Sequence, residues 1–140
     1  MRTLLLSLLL IACAPAAFAC SCAEITLEES MKFWDDVLVG KVIRLEVIRE
    51  HDGVNTIAAT VEVKKAVKGD LASVITFITD DGCCYCSYRF DIGETYLLFA
   101  KPWQGSYRTD GCSRSKPVRE ATADLKALSL SDGSADGAQK

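Results

Sequence analysis

Seven cysteines carry most of the reactive chemistry open to this sequence: Cys13, Cys20, Cys22, Cys83, Cys84, Cys86 and Cys112. Such thiols can pair as disulfides, work as a redox couple or hold a metal. Cys83 and Cys86 have the C-x-x-C spacing of redox and zinc motifs. A thioredoxin-type site needs a βαβ context that is missing, and a structural zinc site needs a second ligand pair. A structural role is therefore favoured over a thiol-redox or metal-handling one. The single histidine, His51, precedes Asp52-Gly53 and reads as a solvated turn residue. Asp35-Asp36 and Asp80-Asp81 read as element ends rather than acid-base dyads. With no Gly-x-Ser-x-Gly, phosphate-loop or zincin motif, the expectation is a protein that is not an enzyme, with no cofactor and no metal site of its own.

The first 19 residues decide which cysteines remain. Met1-Arg2 is a minimal basic start, Leu4 to Ala12 is a short apolar run, and Pro15 precedes the small-x-small signal Ala17-Phe18-Ala19. The run is shorter than the roughly 20 residues a membrane span needs. Residues 1–19 are thus expected to be a signal peptide, leaving 121 residues that begin at Cys20. Leu10-Ile11-Ala12-Cys13 also resembles a lipobox, and a lipid anchor on Cys13 is the minor alternative. Loss of Arg2 takes the formal charge from −3 to −4 with both signs interspersed, which argues against nucleic acid. An even set of six cysteines in an exported chain implies disulfides, with fifteen possible connectivities. The expected location is secreted, extracellular or periplasmic, without a membrane span and as a monomer.

The elements that must position these groups follow from periodicity. Thr26-x-x-Glu29 is a capping box, and Leu27, Met31 and Trp34 form the buried stripe of a short helix. From Asp36 the pattern is that of strands: Val37 to Val47, alternating from Ile43 onward with Gly40 as a bulge, turns at Asp52-Gly53 into a partner carrying Ile57, Ala59, Val61 and Val63 on one face. Val74 to Thr79 is a third strand, and Thr95 to Ala100 a fourth that should be buried on both sides. Ser106 to Thr109 is a short fifth strand. Val118, Ala121, Leu125 and Leu128 mark a C-terminal helix, and 131–140 reads as a disordered tail. Lys and Arg around 114 to 119 read as a solvated face, and Trp103 as an exposed aromatic on a possible binding face. Four or five short strands, no βαβ unit and helices only at the ends suggest a small closed or partly open barrel, and the OB kind has that strand number.

Several segments, in order, carry a family resemblance: Cys20-Ser21-Cys22 at a processed terminus, Asp36-Val37-Leu38-Val39-Gly40-Lys41-Val42, Val67-Lys68-Gly69, Cys86-Ser87-Tyr88-Arg89-Phe90 running into Gly93 to Ala100, and Gly111-Cys112. Together they resemble the netrin-like domain, in particular the inhibitory domain of the tissue inhibitors of metalloproteinases, in a single-domain, bacterial-type form spanning 20–130. The resemblance implies a mainly β fold, a five-stranded OB-type Greek-key barrel with short N- and C-terminal helices. It also implies disulfides Cys20 to Cys86 and Cys22 to Cys112, leaving Cys83 and Cys84 either joined in a vicinal bridge or reduced. A loop of about 65 residues closed in this way restricts the denatured chain by roughly 4 kcal/mol in the chain-entropy treatment.

The function implied is inhibition of a zinc metalloendopeptidase. The α-amino nitrogen and carbonyl oxygen of Cys20 would chelate the zinc of the target protease, displacing its water, and Ser21 would enter the specificity pocket. An α-amino pKa of about 7.7–8.0 makes the free amine accessible near neutrality. The chain departs from the family's usual pattern by carrying Glu24 where proline commonly follows Cys-x-Cys-x, and it has no counterpart of a third disulfide. The alternative is a non-inhibitory extracellular protein-binding module of the same fold, relying on surface residues such as Trp103.

Overall fold

The computed structural model describes residues 20–82 and 86–135, with side chains through Ser129. The expected signal peptide 1–19, Cys13 and the Cys83–Cys84 pair lie outside the described residues.

Among the described residues the first regular element is helix α1, Leu27–Phe33. Thr26 accepts from the Glu29 N–H at 3.2 Å while the Glu29 carboxylate accepts from the Thr26 N–H at 2.8 Å, so the expected capping box is formed. These bonds hold the exposed Glu29 carboxyl below the ordinary carboxylate range. Six strands follow: β1 Asp36–His51, β2 Val54–Lys68, β3 Val74–Asp80, β4 Thr95–Trp103, β5 Ser106–Arg108 and β6 Lys116–Pro117. A 3-10 turn at Val118–Glu120 leads into helix α2, Thr122–Ala135.

The sheet order is β1-β2-β3-β5-β4-β6, and β1 also pairs with β4, so the first five strands close into a ring. All neighbours are antiparallel except β3 and β5, which meet in parallel at Phe77 and Tyr107. Closure leaves β4 with two apolar faces, as its sequence requires. Tyr96, Leu98 and Ala100 pack with Leu38, Val42, Val61, Ile75 and Phe77 within the ring. Leu97 and Phe99 face the other way, against Trp34, Val37, Ala121 and Leu128, beneath the two helices.

Three expectations need correction. The strands are not uniformly short, because β1 and β2 run to 16 and 15 residues. The alternation expected from Ile43 fails because bulges intervene between Val42 and Arg44 and between Val47 and Arg49. Val42 is buried, whereas Ile43, Val47 and Ile48 are exposed. The pairing of β1 with β4 ends at Lys41, so the far half of β1 is held on one side only, by β2, which in turn pairs with β3 from Thr56 to Glu62. Finally, α2 continues to Ala135, past the boundary at 131. The local polar composition is a weak prior against a helix already begun. Gly40 sits at a bulge, and a Cβ there would press into Val61 Cγ1, so any side chain at this position forces Val61 or the backbone to shift.

Candidate functional site

Cys20, Ser21 and Cys22 form an exposed segment outside any helix or strand, tied down at each cysteine. Cys20 is bonded to Cys86 and Cys22 to Cys112, with Cα separations of 5.6 and 5.1 Å. These are the two pairs that the resemblance implies.

The receiving loops are themselves joined. Ser87 and Asp110 form an isolated antiparallel bridge, and the Gly111 N–H donates to the Cys86 carbonyl at 2.6 Å. A Cβ on Gly111 would meet that carbonyl oxygen at 3.1 Å, so glycine lets the two backbones approach. Cys86 has a φ of +49°, an uncommon conformation for a side-chain-bearing residue, held between its disulfide and the Gly111 bond. Asp110 Oδ1 accepts from the Cys112 N–H at 2.9 Å, fixing the turn that presents the second sulfur. Below it, Thr109 contacts Ser113 and Ser115 through hydroxyls at 2.9 Å, and Ser115 Oγ accepts from the Phe99 N–H of β4. The loops are thereby keyed into the ring.

A third anchor lies just past Cys22. Arg114 donates to the Ile25 carbonyl at 2.7 Å and to Asp124 of α2 at 2.6 Å, and Lys116 Nζ stands 2.8 Å from the other Asp124 oxygen. Burial alone would raise the Asp124 pKa, but the hydrogen bonds and charges of Arg114 and Lys116 outweigh it and hold the carboxyl below its ordinary range. Arg114 and Lys116 are thus mostly covered and ion-paired. This corrects the solvated face expected for 114 to 119, which holds only for Arg119. Glu24, at the family's usual proline position, is exposed.

The remaining candidates fall into place singly. His51 is exposed at the β1–β2 turn with Nε2 3.2 Å from Asp52. Asp36 opens β1, buried, and its burial and the neighbouring Asp35 charge push its pKa up against the opposing effect of Lys68. Asp81 is turned onto Asn55, whose hydrogen bonds lower its pKa. Trp34 is buried, while Trp103 is 36% exposed. Among the described residues no group of three or more His, Cys, Asp and Glu side chains is placed to hold a metal ion, and no helix is long and apolar enough to cross a membrane.

Sequence reasoning missed two cations that share a groove with Cys86, the partner of Cys20. Arg108 lies over the Trp103 ring at 3.4 Å from its centroid, and Lys101 over Phe33 at 3.7 Å. Gln104 and Gly105, with φ of +48° and +77°, form the two-residue turn that puts Lys101 opposite Arg108. Centring the hairpin on Gln104-Gly105 would have revealed that pairing. Compared with known proteins, the chain matches no family model and no curated protein sequence.

Proposed function

We propose that the mature protein, beginning at Cys20, is a secreted inhibitor of zinc metalloendopeptidases, built on a netrin-like, OB-type Greek-key barrel and acting as a monomer without catalytic activity. The strand ring β1-β2-β3-β5-β4, closing on β1, supports the barrel reading. Two disulfides are compatible with an oxidising compartment such as the extracellular space or periplasm. The observation that carries the functional reading is an exposed Cys20-Ser21-Cys22 segment whose two cysteines are tethered to one joined pair of loops.

After cleavage behind Ala19, the amine and carbonyl of Cys20 close a five-membered chelate on the target's zinc, in the position its catalytic water occupies. The sulfur, held in the bridge to Cys86, takes no part as a ligand. Ser21 enters the specificity pocket. The tethering of Cys22 reduces the conformational entropy lost on binding, because the segment is already ordered. Zinc binds the neutral amine, so inhibition weakens as pH falls below the α-amino pKa of about 7.7–8.0.

The test is a chain with one alanine added before Cys20, assayed against a panel of zinc endopeptidases alongside the authentic terminus confirmed by intact mass. Inhibition by the authentic form and its loss in the extended form are expected. Equal potency of the two would remove chelation. Trp103 and its stacked Arg108 favour a second reading, an extracellular protein-binding module, for which binding is indifferent to the added residue and falls on Trp103→Ala.

A further inference from the structure

Lys101 and Arg108 are paired residues on β4 and β5, so their side chains share one face of the hairpin. Like charges placed directly opposite destabilise such a pair. Among the described residues neither has a carboxylate partner; each rests on an aromatic ring, Lys101 on Phe33 and Arg108 on Trp103. Stacking offsets part of the repulsion and fixes both side chains. It leaves the edge of the guanidinium, with its N–H donors, and the ammonium free to bind.

Both cations line a groove of about 530 Å³ that Phe33, Trp34 and Trp103 also line. We infer that this groove docks an extended segment of a partner protein, receiving one Asp or Glu carboxylate between Lys101 and Arg108 and a neighbouring apolar side chain against the aromatic rings. Charge complementarity local to the Lys101–Arg108 pair selects that occupant, since Asp80 and Asp110 balance the two cations over the groove as a whole. A single carboxylate relieves the repulsion between the two cations. A polyanion would also run against Asp80 and Asp110 in the same groove and against a chain of formal charge −3. Cys86 and Ser87 line this groove too, so a protein engaging the Cys20 segment would pass beside it. The inference goes beyond the inhibitor reading and does not require a free Cys20 amine.

Both tryptophans of the chain line the groove, which gives a direct readout. The acetylated, amidated peptides Gly-Leu-Glu-Leu-Gly and Gly-Leu-Gln-Leu-Gly are titrated into the disulfide-intact protein while the two indole N–H signals are followed by NMR. The glutamate peptide is expected to bind roughly fivefold tighter, the size of one charge-assisted hydrogen bond at a half-exposed site. Arg108→Gln and Lys101→Gln should each remove that preference, with the remaining spectrum confirming the fold, and Arg108→Lys should keep part of it. Adding a residue before Cys20 should leave peptide binding unchanged, which separates failure of this inference from failure of zinc chelation. Equal binding of the two peptides, indole signals that stay still, or tighter binding of a sulfated disaccharide at the same signals would overturn it.

Discussion

Removing either disulfide should cost the same, although one spans 66 residues and the other 90. Taken alone, loops of those lengths restrict the denatured chain by about 4.3 and 4.6 kcal/mol. The bridges interleave, however, each loop holding one cysteine of the other pair. With Cys20 and Cys86 joined, the shortest path from Cys22 to Cys112 runs two residues back to Cys20, across the bond, and 26 residues on from Cys86, and the reverse path is the same. Each second bridge therefore closes a loop of about 28 residues, worth about 3.6 kcal/mol. The variants Cys20→Ala/Cys86→Ala and Cys22→Ala/Cys112→Ala should each lose about that much in urea unfolding, a midpoint shift near 2.5 M for a slope of about 1.4 kcal/mol/M. A chain lacking both should lose about 8 kcal/mol, comparable with the whole net stability of a small domain, and should be largely unfolded. Costs that differ by more than about 1 kcal/mol in the order of the separations, or that stay below about 1 kcal/mol, would refute the interleaved-loop reasoning.

Three further perturbations test the interior. Asp124→Ala strands the charges of Arg114 and Lys116, which keep only 26% and 29% exposure, and should cost about 2–3 kcal/mol at pH 7 by urea unfolding, toward the low end for a broken buried pair. The Asp124 pKa is depressed in the fold, so its contribution is present above the unfolded value of about 3.9 and is lost as pH falls; the gap between wild type and Asp124→Asn should close below about pH 4. Asp36 has the opposite sign: with its folded pKa raised, ionisation works against the fold as pH rises from about 4, so wild type should lose ground to Asp36→Asn between pH 3 and pH 7, measured by the same unfolding midpoints. Gly40→Ala places a Cβ against Val61 and should cost about 1–3 kcal/mol, part of which Val61→Ala in the same chain returns.

Local rules made some features legible and not others. The Thr26–Glu29 box and the Asp52-Gly53 turn depend on neighbours in sequence, and both appear where the pattern puts them. The two-faced burial of β4 was readable because a strand with apolar residues at successive positions has no face left for water. The bulges at Ile43 and Ile48 were not, since an unpaired residue in a long strand is fixed by pairing with distant partners rather than by the alternation itself. The strand β6 at Lys116–Pro117 is too short to show a period. Around the candidate site, the cysteines signalled a staple by their number, but nothing local announces that Arg114 reaches Ile25, 89 residues away. A run of basic residues looks the same in sequence whether its partner is water or the carboxylate of a later helix.

That long-range contact links the two ends of the domain. Asp124 holds Arg114, Arg114 holds the Ile25 carbonyl, and only Ala23 and Glu24 separate Ile25 from the stapled Cys20 to Cys22 segment. Helix α2 is seated on the outer face of the ring by Leu128 and presents Asp124 toward that anchor. A defect at Asp124 should therefore loosen the exposed segment while both disulfides stay intact, because the bridges fix Cys20 and Cys22 but not the backbone between Cys22 and α1. Amide exchange over residues 23–26 should rise in Asp124→Ala more than exchange across the β1–β4 pairing. A uniform rise through the ring instead would mean that the ion cluster supports the domain as a whole and has no particular hold on the segment.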